Sequence, residues 1–464
     1  MSMPIDRFLP WLVALVAFAA LLFAPQIFND GDTYWHVAAG LRMLSDGALI
    51  ARDPFSYTFS GAPWTAHEWL SEIVMALAWR AGGWGGVQVL FAGAFSLTAF
   101  LMFINLRRWF GGLASLAVSM LALACMAPSL LARPHLLALP LVVLWTTELV
   151  LARAQHRAPR WQSAAIMTLW VNLHGGFAIG FLLLAAFAVE AVVEERDKRA
   201  TILRWAGFGV ASLAAALINP HGLEGLLFPF RLLSLTQLSH IGEWGPADFS
   251  TLAPFEAVLI GGAYVLLSRG ARIPVPRLLM TLLFLHLALA HERHVILFAA
   301  VVPLLLAGPV SKALADLPMS SVPIELRPGA LFSLAMAGLA AFRLSLPLPY
   351  GGALVTPDHA LARVPQALRG QPVLNDYGFG GYLIFEGVRP FIDSRAELYG
   401  DRFLANYARI MAPDPKALAQ ALARYRVAWT ILPPSSPAVA MLDLMPGWHR
   451  LSTDAIAVVH VRNR

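Results

Sequence analysis

Long apolar runs, separated by short polar clusters, recur through most of this chain, and they set the strongest limit on its fold. A helix needs roughly 20 apolar residues to cross a hydrocarbon core of about 30 Å. Inside a membrane only helices and closed barrels satisfy every backbone polar group, and runs of this length select the helix. The first run, Leu9 to Phe28, follows one basic residue, Arg7. It is longer than the apolar core of a signal peptide and no small-residue cleavage site follows, so it reads as an uncleaved membrane helix. Further runs fall near 87–105, 113–127, 135–151, 203–218, 253–268, 278–290, 295–308 and 330–345, and 162–193 has room for two spans broken at His174-Gly175-Gly176. That makes about eleven. Only 13% of the 464 residues are charged, against about 25% in soluble domains, which excludes an ordinary soluble protein.

The basic residues fix an expected orientation. Fifteen of them (Arg7; Arg107, Arg108; Arg153, Arg157, Arg160; Arg196, Lys198, Arg199, Arg204; Arg269, Arg272, Arg277; Lys312, Arg327) fall on one side of such a topology. Six, over longer loops, fall on the other: Arg42, Arg52, Arg80, Arg133, Arg231 and Arg293. By the positive-inside rule the first side is cytoplasmic. The large first loop, 29–84, is then outside, and an odd number of spans puts the C-terminal tail outside with it. A single span at 162–193 would invert everything downstream. The one cysteine, Cys125, lies in an apolar run, reads as a small buried hydrophobe and excludes an intrachain disulfide.

The tail, 346–464, differs in composition. Short apolar stretches (VLNDY, PFIDSR, VAWTILPP, AIAVVHV) alternate with helical patterns such as DPKALAQALARYR, which suggests a small α/β domain. Pro347, Pro349, Gly351 and Gly352 form the linker. The expected architecture is therefore an α-helical polytopic membrane protein of about eleven transmembrane helices, residues 1–345, carrying a soluble outer α/β domain, residues 346–464.

The polar residues are one-sided. Asp30, Asp32, His36, His67 and Glu68 lie in the first outer loop. Arg133-Pro134-His135, Asn172-Leu173-His174, Asn219-Pro220-His221, Glu243-Trp244 and His291-Glu292-Arg293-His294 all fall at outer helix ends. Charged groups at membrane depth cost about 2.5–3.5 kcal/mol on insertion and usually mark a functional pathway. Their gathering on one face points to a site there, one wall of which is the loop from Asn29 to Leu70.

Each cluster also has a structural reading. Asp30 and Asp32 can serve catalysis or cap a helix, and His36, four residues after Asp32, shares a helical face with it. Asp53 before Pro54 suits a turn. Arg133 can hold a phosphate or extend to the head groups. His135, Asn172, His174 and His221 either line a shared polar cavity or only finish helices. His291 to His294 lacks the His-Glu-x-x-His spacing of a zinc protease, leaving Arg293 as a ligand-facing candidate. In the tail, Gly378-Phe379-Gly380-Gly381 matches no nucleotide-binding pattern. Asp393, Arg395 and Glu397 follow a strand-like run, where either a ligand contact or an internal salt bridge fits.

A first span followed at once by a large outer loop with an acidic pair, a multispan bundle and an outer C-terminal domain resembles the GT-C superfamily of membrane glycosyltransferases, which use polyprenyl-phosphate sugars. The phrases Asp32-Thr-Tyr-Trp-His36, Asp53-Pro-Phe-Ser-Tyr-Thr58, His67-Glu-Trp-Leu70, Trp170-Val-Asn-Leu-His174 and Phe391-Ile-Asp-Ser-Arg395 are similar to those of a group of bacterial members. The resemblance implies transfer of a sugar, by an expected inverting displacement, from a polyprenyl-phosphate donor to a lipid, glycan or protein acceptor at the outer face of a bacterial inner membrane. It implies Asp32 first and Asp30 second as general base, and Arg133, Arg293 and Arg395 as cations for the leaving phosphate. Trp35, Trp64 and Trp69 would anchor the loop at the head groups or stack on sugar. The Asp30-Gly-Asp32 spacing is tighter than in better-known members and no second acidic motif is evident, which leaves a divalent metal open; no other cofactor and no nucleic acid is expected. The competing class is a non-catalytic transporter or assembly factor for lipid-linked glycans, which would favour an internal repeat and midplane polar residues. No repeat is found.

Overall fold

The computed structural model describes residues 4–234, 245–250, 253–314, 328–347 and 354–463. Glu243, Trp244, Arg327, Pro349, Gly351 and Gly352 lie outside the described residues. The helical part runs α1 Leu9–Leu22, α2 Gly31–Asp46, α3 Trp69–Leu106, α4 Gly112–Met126, α5 Pro134–Ala154, α6 Ala165–Leu173, α7 Phe177–Glu194, α8 Lys198–Ala216, α9 Leu223–Leu233, α10 Pro254–Arg269, α11 Val275–Ala290, α12 Val295–Ala313 and α13 Gly329–Ser345. Among the described residues five helices are long and apolar enough to cross a membrane alone: α3, α4 with its trailing turn, α5, α7 and α12. Helices α1, α11 and α13 are apolar but shorter.

Polar contacts between helices reveal their directions. Ser96 donates to the Ala14 carbonyl and Gln88 to those of Leu21 and Ala24, so α3 runs antiparallel to α1. Trp145 donates to the Gly180 carbonyl, and Arg153 lies 3.5 Å from Glu190, so α5 and α7 are parallel. Both begin at the same end of the bundle, where the His135 and His174 rings are 6.2 Å apart. Helix α6, which ends at His174, must therefore run back between them. Thr168 donates to the Ala215 carbonyl and Asn172 to that of Ile218, which makes α8 parallel to α6. The expected break at His174-Gly175-Gly176 is thus a reversal: His174 is extended (φ −161°, ψ 142°) and ends the helix. With nine residues, α6 is only about 14 Å long.

Two boundaries differ from the sequence reading. Helix α3 begins at Trp69 rather than near 87, because Trp69–Ala81 continues as helix up to a kink where Gly82 and Gly83 leave helical geometry. Gly83 takes φ 57°, a conformation that favours glycine. The loop ahead of α3 is shorter than expected and itself contains α2, capped by Asp30, whose side chain accepts from the Asp32 N–H at 3.0 Å.

Helix α13 returns the chain to the loop. Arg343 donates to Gln88 at 2.9 Å and Met336 meets Ser96, so α13 is antiparallel to α3 and ends where α1 ends. The tail continues with α14 Asp358–Ala362, α15 Gln366–Arg369, β1 Val373–Asn375, α16 Gly380–Phe385, α17 Ala396–Met411, α18 Pro415–Arg424, β2 Trp429–Leu432, α19 Pro437–Asp443, β3 Trp448–Thr453 and β4 Val458–Arg462. The sheet order is β1-β2-β4-β3, with β1 and β2 parallel and the other pairs antiparallel.

The PFIDSR stretch is not a strand. The Asn375 side chain takes the place of a ladder partner, accepting from the Phe391 N–H (2.7 Å) and donating to the Ile392 carbonyl (2.8 Å). Those bonds hold 391–395 as an extended rail along the loop. The tail and loop share an apolar core in which Trp35, Ala39 and Trp64 pack with Leu374, Ile384 and Phe391. Their closest approach needs glycine: a Cβ on Gly381 would overlap the Gly31 carbonyl. The Gly378–Gly381 run therefore serves close packing of α16 on α2.

Candidate active site

The first turn of α2 carries the densest charge. Arg133, the residue just ahead of α5, grips Asp30 with two hydrogen bonds, Nε to Oδ2 and Nη2 to Oδ1 at 2.7 Å. Its Nε also lies 3.2 Å from Asp32 Oδ2. Asp30 is 5% exposed at its side chain, Arg133 18% and Asp32 17%, so Asp32 is the carboxylate of the pair with more access to an incoming group. Its Oδ1 accepts from the Ser394 hydroxyl and from Trp35 Nε1 at 3.3 Å, and the same indole donates to Ser394 at 2.9 Å. Asp30 is thus both cap and counter-ion, and Asp32 stands one helical step further out, held from three sides.

One turn along, α2 supplies His36, whose two ring nitrogens face two glutamates. Nδ1 is 3.3 Å from Glu72 Oε1 and Nε2 is 3.5 Å from Glu68 Oε2. The other oxygen of Glu68 faces His67 and His174, each at 3.6 Å. Glu68 therefore sits among three imidazoles. Burial pushes its carboxyl well above the usual range, with Glu72 and Asp32 adding to the shift. Burial likewise depresses His36 to about 3, and it holds His67 and His174 well below the ordinary histidine value. For His174 the nearby His135 and Arg293 charges act in the same direction. At neutral pH this wall is a set of neutral imidazoles around a carboxyl that favours its proton, able to donate and accept hydrogen bonds.

Three solved structures share the arrangement of the chain. The archaeal oligosaccharyltransferase AglB from Archaeoglobus fulgidus, in complex with an inhibitory peptide and a dolichol-phosphate, superposes with TM-score 0.59 over 92% of this chain and 69% of that one, at 12% identity. Its apo form gives TM-score 0.53 over the same shares. ArnT from Cupriavidus metallidurans, bound to undecaprenyl phosphate, superposes with TM-score 0.53 over 97% of both chains, at 14% identity. The fold is a GT-C fold. No family model and no curated protein matches the sequence.

Within this GT-C fold the sequence candidates separate into two groups. Asp30, Asp32, His36, His67, Glu68, Arg133, His135, His174 and Arg293 gather at one end of the bundle, linked by the contacts above and by the electrostatic effect of the Arg293 charge on His174. His135 faces the Ser129 carbonyl at 3.3 Å. The others are engaged in packing. Asn172, expected to touch substrate, accepts from Trp69 Nε1 (2.8 Å) and donates to the Thr168 and Ile218 carbonyls, clamping α3, α6 and α8. His221 faces the Ala66 carbonyl at 3.2 Å and fastens the loop.

Arg395, expected as a phosphate cation, is fully buried. It donates to both oxygens of Asp393 and to Asp53, with its guanidinium 4.6 Å from the Trp64 ring centre. Every direction of its fork faces protein, so it fastens the tail to the loop. Asp53 also accepts from the backbone of Phe55 and Ser56, the turn its Asp-Pro context suggested. The tryptophans read as head-group anchors or sugar platforms point inward instead: Trp35 to Ser394, Trp64 to Glu397 at 2.9 Å, and Trp69 to Asn172.

Two contributors escaped the sequence reading. Glu72 stands one helical turn from Glu68, a spacing that could have found it. Ser394 carries no signal beyond its place between Asp393 and Arg395. Among the described residues no three His, Cys, Asp or Glu side chains form a group fit to hold a metal ion. Asp30 and Asp32, the acidic pair of the loop, share the Arg133 guanidinium, which engages the carboxylate oxygens that a divalent cation would need.

Proposed function

We propose that this protein is a membrane glycosyltransferase that moves a sugar from a polyprenyl-phosphate donor to a hydroxyl or amide of a lipid, glycan or protein acceptor. The observation that carries the reading is the Asp32–Arg133 pair: a partly accessible carboxylate beside a guanidinium, at the helix ends of a GT-C fold. Two neighbours of that fold are described as holding dolichol-phosphate and undecaprenyl phosphate.

Each step asks little of the protein. Asp32 takes the acceptor proton as the acceptor oxygen or nitrogen attacks the anomeric carbon. The bond from that carbon to the phosphate oxygen breaks on the opposite face, giving inversion, and the electron pair leaves with the polyprenyl phosphate. Arg133 and Arg293 stabilise the departing charge. Asp30 keeps Arg133 oriented, and the wall of neutral His36, His67 and His174, with Glu68 biased by burial toward its protonated form, offers hydrogen bonds to sugar hydroxyls.

The reading includes eleven membrane crossings with the site and tail on the outer face of a bacterial inner membrane. The alternation of helix directions and the one-sided basic residues support it. Mass spectrometry of lipid-linked sugars and envelope glycans, with and without the gene, tests the function. Accumulation of a polyprenyl-phosphate sugar together with loss of one glycan modification is expected. Unchanged pools of both would favour the non-catalytic binding protein.

A further inference from the structure

Helices α7 and α8 enclose an apolar groove of about 440 Å³ that runs toward the end of the bundle away from the site. Its α7 wall is Phe181, Ala185, Ala188 and Val192, successive turns of one face. Its α8 wall is Ile202, Ala206 and Gly209, again one face. Small residues make the trough, and nearly all of its surface is apolar.

The charge at its mouth is of one sign. Arg199 lies three residues before Ile202 and so continues the α8 face; Arg196 lies just past the end of α7, in the short bend that joins it to α8. Both are exposed. Lys198 closes the end, donating to the Val192 and Val193 carbonyls. The acids nearby are already engaged. Arg153 binds Glu194 and Glu195, each at 2.8 Å, Arg277 binds Glu190 at 2.7 Å, and Asp197 accepts from the Ala200 N–H. Arg196 and Arg199 have no carboxylate partner among the described residues. An apolar trough ending in exposed cations with no carboxylate partner among the described residues is complementary to a lipid with an anionic head group.

We propose that this groove binds one anionic phospholipid, its acyl chain lying along α7 and α8 and its phosphate held by Arg196 and Arg199. The site is separate from the glycosyl-transfer reading and does not rest on it. Basic residues near a membrane each favour anionic lipid about fivefold, so losing both should weaken binding about thirtyfold.

The test is native mass spectrometry of the delipidated full chain, titrated with dioleoyl phosphatidylglycerol or dioleoyl phosphatidylcholine. Tighter retention of phosphatidylglycerol is expected, reduced about thirtyfold in the Arg196→Gln, Arg199→Gln double variant. Arg204→Gln serves as a control, since residue 204 lies off the groove face and should change little. Ala206→Trp fills the trough and should lower retention of both lipids. Equal affinity for the two lipids overturns the proposal. So does an Arg204→Gln effect as large as that of the double variant, which would mean diffuse surface charge, or a second copy of the chain occupying the groove.

Discussion

The Ser394 hydroxyl donates to Asp32, so a residue 362 positions away in the sequence fixes the carboxylate assigned as base. Ser394 itself is held by the Trp35 indole at 2.9 Å and by the Tyr377 hydroxyl, which donates to its carbonyl at 3.2 Å. The tail therefore acts on the site by orienting Asp32. Ser394→Ala should lower kcat by up to about 100-fold, the cost of a base misplaced by about 1 Å, with KM little changed. Ser394→Thr, which keeps the hydroxyl, should restore most of it. Steady-state transfer assays on the purified variants check the split; a loss confined to KM would assign Ser394 to acceptor binding.

Asp30 and Asp32 should fail differently when neutralised. Asp32→Asn is expected to lower transfer by about 10²–10⁴-fold while the protein still purifies and melts near the parent temperature. Asp30→Ala removes a helix cap worth about 1 kcal/mol and the two hydrogen bonds that orient Arg133, so its melting temperature should fall first and its activity with it. Thermal unfolding beside transfer assays separates the two. Equal melting temperatures for both variants would contradict the division of roles.

Arg395 is a structural prediction. Its pairs with Asp53 and Asp393 have fully buried side chains, and breaking such a pair from one side costs about 3–5 kcal/mol because the remaining charges stay buried. Arg395→Gln should therefore lower the melting temperature and expose the 354–463 tail to protease. Loss of donor affinity with unchanged stability would return Arg395 to the phosphate site.

What the sequence disclosed and what it hid follow the range of the interactions. The apolar runs, the reversal at His174-Gly175-Gly176 and the one-sidedness of the polar clusters depend on local composition, and they were legible. The strand-like PFIDSR and the inward-facing Trp64 and Trp69 were misread because their partners, Asn375, Glu397 and Asn172, come from distant segments. For the same reason the sequence leaves Arg395 open between a ligand cation and a salt bridge, and only the placement of Asp53 and Asp393 makes it the salt bridge. Local chemistry points to the candidate residues, but long-range pairing decides which of them remain available to a ligand.

Stability should depend on pH through Glu68 and its imidazoles, with opposite signs. The carboxyl is raised in the folded state, so the folded protein holds that proton longer than the unfolded chain. Its contribution is most favourable below about pH 4.5 and is lost as the pH rises toward its folded value. His36 is depressed to about 3, so between about pH 3 and 6.5 the unfolded chain binds the extra proton and stability falls with acid. Glu68→Gln removes the first dependence only. Its melting temperature relative to the parent should therefore climb as the pH is raised from 4.5, while both proteins lose stability alike on the acid side. A difference between the two that stays flat from pH 4.5 to 8 would mean that Glu68 is an ordinary ionised carboxylate and that the neutral wall proposed for the sugar carries a charge.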